Sequence, residues 1–328
     1  MRAIVVEGKG PESTLHWREV PDPVPRSGDV LIKVHTAGVN RADLLQRNGL
    51  HAVPPGESDV LGLEVSGEVV ELGPGVEGAG IGDKVCVLLG GGGYAELARA
   101  PASLLIPVPA AVSLEEAAGI PEVFMTAYSA LFLEGELREG ETVLVHAGAS
   151  GVGTAAIQLA KRAGCCVIAT AGSAPKLDVC RRLGADLAVN YREQHFPALV
   201  KDFTAGRGVD LIIDFVGKDH FDGNLESLAL RGRLVHVATL SGTDVALNIR
   251  TLMSKRLTLR GVTLRSRPLE ERVQLRSALL ARFGEDLEAG RLRPVIDRVF
   301  PIEEAEEAHR YMAANRNIGK ILLAVGER

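Results

Sequence analysis

A glycine-rich segment in the middle of the chain limits its fold more than any other feature. Residues 142–164 read TVLVHAGASGVGTAAIQLAKRAG, an apolar run followed by a turn of small residues and a helical pattern. Gly148, Gly151 and Gly153 punctuate the turn, but Ser150 replaces the second glycine of a GxGxxG loop. Small residues still let a pyrophosphate approach the helix N-terminus, where free N–H groups favour an anion. We predict a dinucleotide-binding turn; a turn that only packs strand against helix is the alternative.

The residues after Glu141 extend this unit into a repeating pattern. Apolar strands predicted at TVLVHA, CVIATA, LAVN, VDLIIDFVG and RLVHVATL alternate with amphipathic helices predicted at GVGTAAIQLAKRA, APKLDVCRRLG and ESLALRG. Such alternation is typical of a parallel sheet with helices on both faces. The pattern predicts an α/β domain with a doubly wound sheet.

The first part of the chain has a different organisation. Up to about Pro109, short β-type runs are broken by glycine and proline, which predicts a compact, mostly β domain. Ser113 and Glu116 form a capping-box pattern ahead of a helical stretch, with a domain junction near residues 120–128. We predict domains at 1–124 and 125–263. Residues 264–328 contain a helical pattern at 269–290, the β run PVIDRVF, a helix opening at Glu303 and a final KILLAV strand, and are expected to return to the first domain.

The end of the second α/β strand indicates which dinucleotide binds. An acidic residue about 20 positions after the glycine loop accepts the ribose 2′-OH of NAD. Ala171, Gly172 and Ser173 stand at this point, without a carboxylate. Donors suited to a 2′-phosphate follow: Ser173, Lys176, Tyr191 and Arg192. NADPH is the predicted cofactor, and a solvated helix residue is the alternative for Lys176.

Composition excludes several classes of protein. The 328 residues carry a net charge of -5 and no basic run, which makes a nucleic-acid binder unexpected. The cysteines at 86, 165, 166 and 180 form no CxxC pair and lie near no histidine at metal-ligand spacing, so we expect reduced thiols. No segment approaches the roughly 20 apolar residues of a membrane span, and the first residues do not resemble a leader. A cytoplasmic protein is expected.

Longer motifs in the chain resemble a known family. They are NRADLLQRNG at 40–49, PPGESDVLGLEVSGEVVELG at 54–73, HAGASGVGTAAIQLAKRAG at 146–164 and NRNIGKILL at 315–323. These runs are similar to the zinc-free quinone oxidoreductases of the medium-chain dehydrogenase/reductase superfamily. The nearest branch contains the tumour-suppressor-inducible quinone oxidoreductase, and zeta-crystallin is more distant. The resemblance implies a GroES-like β domain, a Rossmann domain that binds NADPH, and a homodimer or homotetramer.

The resemblance also assigns roles to individual residues. It places Asn40 and Thr126 beside the nicotinamide and Asn317 near the C-terminal segment. The other expected cofactor contacts are Gly148, Ser150, Gly151, Val152, Gly153, Gly172, Ser173, Lys176 and Tyr191. His51, Tyr94 and Ser150 are predicted to contact the substrate. The alternative for His51 is a solvated loop histidine. The alternative for Tyr94 is a place in a mobile turn formed with Gly90–Gly93. No residue is predicted to be catalytic.

The zinc-dependent alcohol dehydrogenases of the same superfamily provide a contrast. Their catalytic ligands are a cysteine, the histidine of a Gly-His-Glu run and a second cysteine. The corresponding positions here hold Asn40, Leu63 and, near the third, Glu122. Leucine cannot coordinate a metal, and one amide with one carboxylate does not complete a tetrahedral zinc site. The four-cysteine structural zinc lobe is missing as well, so no metal is predicted.

The predicted lack of a metal limits the reactions that the protein could catalyse. Exchange between alcohol and aldehyde would lose several kcal/mol of charge stabilisation. A quinone accepts a hydride readily, so the protein mainly has to position its ring. We predict NADPH-dependent quinone reduction. The alternatives are a reductase of conjugated alkenals or enones and a low-turnover NADPH-binding or RNA-binding protein of the crystallin kind. A symmetric oligomer is expected through the alternating strand RLTLRGVTL at 256–264.

Overall fold

A computed structural model of the protein describes residues 1–8 and 10–326, without the side chain of Pro11. The chain forms two compact units: residues 1–125 together with 265–328, and residues 126–264. None of the helices in the described residues has the length and apolar character needed to cross a membrane.

The first 125 residues form a mostly β structure. In chain order the elements are β1 (Arg2–Glu7), β2 (Thr14–Glu19), β3 (Asp29–Val39), α1 (Arg41–Arg47), β4 (Glu64–Leu72), β5 (Lys84–Leu88), β6 (Leu97–Pro101), β7 (Ile106–Pro107), α2 (Leu114–Ala117) and α3 (Pro121–Tyr128). The predicted capping box is present, because the Glu116 N–H donates to the Ser113 hydroxyl at 3.1 Å and the Ser113 N–H donates to the Glu116 carboxylate at 2.9 Å. The helix ends after one turn, and Pro121 begins α3, a position where the missing N–H of proline is tolerated.

The second unit alternates strands and helices as predicted. Its elements are β8 (Thr142–Val145), α4 (Gly151–Arg162), β9 (Cys166–Ala171), α5 (Ala174–Arg182), β10 (Leu187–Asn190), α6 (Phe196–Phe203), β11 (Val209–Asp214), α7 (Phe221–Ser227), β12 (Leu228–His236), α8 (Ile249–Lys255) and β13 (Thr258–Gly261). All six strands are parallel, in the order β10-β9-β8-β11-β12-β13. This is the order of dinucleotide-binding domains, whose ligands bind where the strand order reverses, beside the end of β8.

Two predicted elements of this unit differ in the structure. The helix expected at ESLALRG is wrong from Leu228 onward, because Leu228 pairs with Val209 of β11 and its side chain is buried in the sheet core. The strand expected at 256–264 is shorter, because β13 pairs with β12 only at residues 258–261.

The C-terminal residues complete the sheet of the first unit. Their elements are α9 (Leu269–Glu288), β14 (Ile296–Pro301), α10 (Ala305–Ala313) and β15 (Lys320–Ala324). The sheet order is β14-β15-β3-β4-β5-β7, with β6 also paired to β3. Antiparallel pairing of Ile321 with Val39 brings the start of β15 to the end of β3. Lys320 and Asn40 are therefore neighbours although 280 positions separate them.

Candidate functional site

The glycine loop of the second unit is held tightly against its sheet. A Cβ atom on Gly153 would lie 2.3 Å from the Ala147 carbonyl oxygen, and one on Gly148 would lie 2.9 Å from the Ala169 Cβ. Ser150 caps α4, since its hydroxyl accepts the Gly153 N–H at 3.1 Å. The first N–H groups of a helix have no partner within it, so the start of α4 retains donors for an anion. Glycine at 148 and 153 is thus required by packing, and Ser150 has a structural role besides its predicted contacts.

The end of β9 collects hydrogen-bond donors around another glycine. A Cβ atom on Gly172 would lie 2.9 Å from the Tyr191 hydroxyl oxygen and 3.0 Å from the Arg192 Nε. Ser173 is the N-cap residue of α5 and makes no side-chain cap bond, while Lys176 lies in the first turn of that helix. The Tyr191 side chain is 40% exposed. A phenol and a guanidinium group therefore lie close to the backbone at position 172.

A buried histidine network lies below the glycine loop. His146 follows β8 and shares hydrogen bonds with the Asn224 amide oxygen at 2.7 Å, the Thr170 hydroxyl at 2.8 Å and the His220 Nδ1 at 3.1 Å. Burial lowers the pKa of His146 to about 4, so its ring is neutral. Asp214, at the end of β11, accepts the N–H groups of Val216 and Gly217. The network fixes the loops after β8 and β11, and His146 is a core residue of the second unit.

Thr126 begins the second unit and is 6% exposed. Its hydroxyl oxygen is buried and has no hydrogen-bond partner among the residues that the structure describes. Buried hydroxyl groups nearly always have a partner, so this one is available to a ligand. This hydroxyl group, the start of α4 at Gly153 and the donors around Gly172 together make the second unit suitable for a nicotinamide dinucleotide.

A buried ion pair dominates the first unit. The Lys320 ammonium contacts Glu64 Oε1 at 2.6 Å and donates to the Val39 carbonyl and the Asn40 Oδ1 at 2.8 Å each. The Asn40 amide nitrogen donates to Glu64 Oε1 at 3.0 Å. Glu64 has no exposed surface and Lys320 has 3%. Both ends of the Asn40 amide are thus engaged inside the unit, and its contact with the nicotinamide stays a prediction.

These residues do not fit a zinc ion. At the first ligand position, the Asn40 oxygen already accepts from an ammonium group. At the second, Leu63 is a buried aliphatic side chain with 1% exposure. The charge of Glu64 is balanced by Lys320. The three positions hold no histidine or cysteine, whereas protein zinc sites take at least two of their ligands from these residues.

Glu122, at the third of these positions, has unusual acid–base properties. It lies in the first turn of α3, and its N–H donates to Glu64 Oε2 at 2.8 Å. Burial, followed by the negative charge of Glu64, raises the pKa of Glu122 to about 8, and the positive charge of Lys320 opposes the rise only in part. The partly exposed carboxyl group therefore keeps its proton at neutral pH. The sequence showed this position only as a missing zinc ligand, since 58 residues separate the two carboxylates.

The predicted substrate contact of Tyr94 is not supported. The side chain is fully buried, and its hydroxyl donates to Asp43 Oδ2 at 3.0 Å and lies 3.2 Å from the His309 Nε2. Burial raises the pKa of Asp43 to about 6. A Cβ atom on Gly62 would lie 2.6 Å from the Tyr94 ring, so the ring is packed against the chain on this side. Tyr94 is a core residue of the first unit.

The other two predicted residues of this unit have distinct surroundings. His51 is partly buried, and its Nε2 atom has no hydrogen-bond partner in the described part of the chain. Burial and then the positive charge of Arg265 lower the pKa of His51, so the ring is neutral at pH 7. Asn317 donates to the Gly319 carbonyl at 2.8 Å and stabilises the turn before β15. Their ligand contacts remain predictions.

Comparison with known proteins agrees with this architecture. Residues 26–110 match the alcohol dehydrogenase GroES-like domain, and residues 151–280 match the zinc-binding dehydrogenase family. The quinone oxidoreductase of Sus scrofa is 35% identical over 316 residues, which cover 96% of this chain and 94% of that protein. The 2-haloacrylate reductase of Burkholderia sp is 33% identical over 98% of each chain. The solved structure of mycobacterial Rv1454c complexed with NADPH has a TM-score of 0.88 and 33% identity over 99% of each chain.

The fold and the residues around its glycine loop define an NAD(P)-dependent oxidoreductase. The parallel-sheet unit has the strand order and the glycine cradle of a nicotinamide-binding domain, and the GroES-like unit carries the buried ion pair. The chain belongs to the medium-chain dehydrogenase/reductase superfamily, among its quinone oxidoreductase-like members.

Proposed function

We propose that the protein reduces quinones with NADPH and works without zinc. The observation that carries the proposal is the buried Lys320–Glu64 pair, which engages Asn40, the residue at the first zinc-ligand position of the zinc relatives. The Lys320 ammonium group balances the charge of Glu64 and donates to the oxygen of Asn40, so these three side chains bind one another. A substrate that needs no Lewis acid suits such a site.

The second unit supplies the residues that would hold the cofactor. The start of α4 would receive the pyrophosphate, and the donors around Gly172 would receive the 2′-phosphate, with Tyr191 and Arg192 at its side. Ala171–Ser173 offers no carboxylate to a ribose 2′-OH, which favours NADPH over NADH. When bound, the nicotinamide supplies a hydride to the substrate.

The residues of the first unit would act on the product of reduction. Positioning of a quinone ring against a hydride donor suffices for transfer, because the quinolate that forms is a stabilised anion. Glu122 holds a proton at neutral pH at the edge of the Lys320–Glu64 pair. A carboxyl group in this state can donate its proton to an oxygen or carbon that becomes basic.

A reductase of conjugated double bonds is the second candidate. Such a reaction needs a proton for the carbon next to the carbonyl, and the protonated carboxyl group of Glu122 could provide it. The similarity to a 2-haloacrylate reductase, a protein named for action on a conjugated double bond, supports this candidate.

Steady-state kinetics with two electrophiles separate the candidates. The oxidation of NADPH is followed with 2-methyl-1,4-benzoquinone and with a 2-alkenal, and both assays are repeated with NADH. Quinone reduction is expected to have the higher kcat/KM, with NADPH preferred. A higher kcat/KM for the alkenal would replace the first candidate by the second, and tight NADPH binding without oxidation by either compound would contradict both.

A further inference from the structure

Arg265 is a buried arginine whose guanidinium group is only partly used. The residue is 7% exposed and precedes α9. Its Nε donates to the Gly90 carbonyl at 2.8 Å. Nη1 and Nη2 are both buried and have no hydrogen-bond partner within residues 1–8 and 10–326. A buried donor without a partner is costly, and a guanidinium group has two such nitrogens on one edge here.

Further unpaired nitrogen atoms lie near Arg265. The ring of His51 is close enough for the Arg265 charge to lower its pKa, after the effect of burial, and its buried Nε2 lacks a partner among the described residues. Arg272, in the first turn of α9, is 7% exposed, and its Nε is likewise unpartnered in the described chain. Two guanidinium groups and one imidazole thus present buried nitrogens in one region of the first unit.

The nearby carboxylates make their hydrogen bonds to groups other than the Arg265 Nη atoms. Glu57 Oε1 lies 3.5 Å from the Arg272 Nη2. A Cβ atom on Gly90 would lie 2.2 Å from the Glu57 Cδ, so Glu57 packs on the same residue whose carbonyl binds Arg265. Asp43 also acts on Arg265, but its oxygens already accept from Asn40, Gly62 and Tyr94. Nη1 and Nη2 of Arg265 thus bond to no carboxylate among the described residues.

The region adjoins the candidate active site. The charge of Arg265 acts on Glu122, the residue at the third zinc-ligand position.

We propose that Arg265, assisted by His51, binds a carboxylate of the substrate, so that the protein prefers conjugated or quinonoid compounds that carry a carboxylate. The planar fork of a guanidinium group matches the two oxygens of a carboxylate, and the bond gains strength from both charges. His51 supplies a neutral ring nitrogen for the same group. This inference rests on the proposed reductase function and specifies its substrate class.

Binding of a matched pair of product analogues tests the proposal without turnover. Calorimetry with saturating NADP⁺ compares 2,5-dihydroxybenzoate, the quinol form of a quinone carboxylate, with the neutral 2,5-dihydroxybenzamide. The wild type is expected to bind the carboxylate about tenfold more tightly or better, as one charge-assisted pair provides. Equal affinity of the wild type for the two compounds would overturn the proposal.

Three variants test whether the preference for the carboxylate depends on Arg265. Arg265→Gln should abolish the preference for the carboxylate, and Arg265→Lys, which keeps the charge but not the fork, should retain part of it. Arg276→Gln is the matched control, because Arg276 is another partly buried arginine, on α9, and it donates to the Leu105 carbonyl instead of the Gly90 carbonyl. The control should keep the full preference.

The outcomes separate this inference from the function on which it rests. Carboxylate preference that survives in Arg265→Gln would place the subsite elsewhere and sink the assignment. If Arg265→Gln does not fold, the Arg265→Lys variant and the comparison of the two compounds on the wild type still test the proposal. Failure of quinone reduction would appear in the kinetic assays, whereas failure of the carboxylate subsite appears in the affinities.

Discussion

Lys320 and Glu64 show how a charged pair is kept in the interior of the first unit. Removing two charges from water is expensive, and the attraction between them compensates only when the remaining hydrogen bonds are also made. Asn40 and the Val39 carbonyl make those bonds. The pair therefore depends on residues from β3, β4 and β15, which explains why the C-terminal strand belongs to this sheet.

Loss of one partner of the pair should be strongly destabilising. Lys320→Met leaves the Glu64 carboxylate buried without a compensating charge, and we expect the free energy of unfolding to fall by about 3–5 kcal/mol. Denaturant unfolding monitored by circular dichroism measures the loss. Glu64→Gln in the Lys320→Met background should restore part of it, and strictly additive losses in the double variant would show that the pair is not coupled.

Glu122 should make stability depend on pH. Its pKa is about 8 in the folded chain against an ordinary value of 4.5, so the folded state disfavours the ionised form. This contribution to stability is full below about pH 4.5 and is lost as the pH rises through about 8. Glu122→Gln should therefore gain about 2 kcal/mol over the wild type at pH 9, allowing for partial exposure, and nothing near pH 4. Thermal unfolding across this range tests the difference, and parallel profiles would show that the carboxyl group is ionised at neutral pH.

Lys176 and Tyr191 should favour NADPH over NADH. Charge-assisted bonds to a 2′-phosphate contribute on the order of 1.5–3 kcal/mol each, or roughly tenfold to a hundredfold in affinity. Lys176→Ala should weaken NADPH binding by about that factor and leave NADH nearly unchanged. Tyr191→Phe should act in the same direction but less, because a phenol is neutral. Fluorescence titration gives both dissociation constants, and an unchanged NADPH/NADH ratio in Lys176→Ala would remove this residue from the cofactor site.

At the scale of elements, β13 forms one edge of the sheet of the second unit. It pairs with β12 on one side, and on the other it has no partner strand within the described residues. The preceding helix α8 exposes Ile249 and Met253, the latter to 70%. An unpaired edge next to apolar side chains suits pairing with the same strand of a second copy.

Sedimentation should therefore show a dimer or a larger symmetric assembly at micromolar concentration. Leu259→Pro removes a backbone donor from β13 and should shift the population toward monomer. Val245→Pro, at an exposed position in the loop that follows β12, is the control and should leave the assembly intact. A wild-type chain that sediments as a monomer at all concentrations would refute the oligomer.

The elements differ in how far the sequence could specify them. The alternation of apolar strands with helical patterns and the spacing of the glycines predicted the parallel sheet and its loop, because each pattern lies within a short segment of the sequence. The segment from Leu228 to Gly232 was assigned to the wrong element, since its pairing with β11 depends on residues far along the chain. The roles of Glu122 and Arg265 were not predicted for the same reason: their partners Glu64 and Gly90 lie 58 and 175 positions away. Tyr94 follows a run of glycines that suggested a mobile turn, whereas its ring is packed in the core.

The whole molecule combines two separate features. The second unit keeps the strand order and glycine cradle of a nicotinamide-binding domain. The first unit keeps the GroES-like sheet but holds an amide bound to a buried ammonium group and an aliphatic side chain at two of the zinc-ligand positions. This combination supports the proposed hydride transfer to an electrophile that needs no metal.

The most direct test of this claim measures turnover and metal content on one sample. NADPH oxidation by 2-methyl-1,4-benzoquinone is followed with purified protein before and after dialysis against a chelator, and zinc is determined by elemental analysis. The account predicts an unchanged kcat/KM after dialysis and zinc well below one ion per chain. One tightly held zinc per chain, with quinone reduction lost on its removal and restored on its return, would contradict the account.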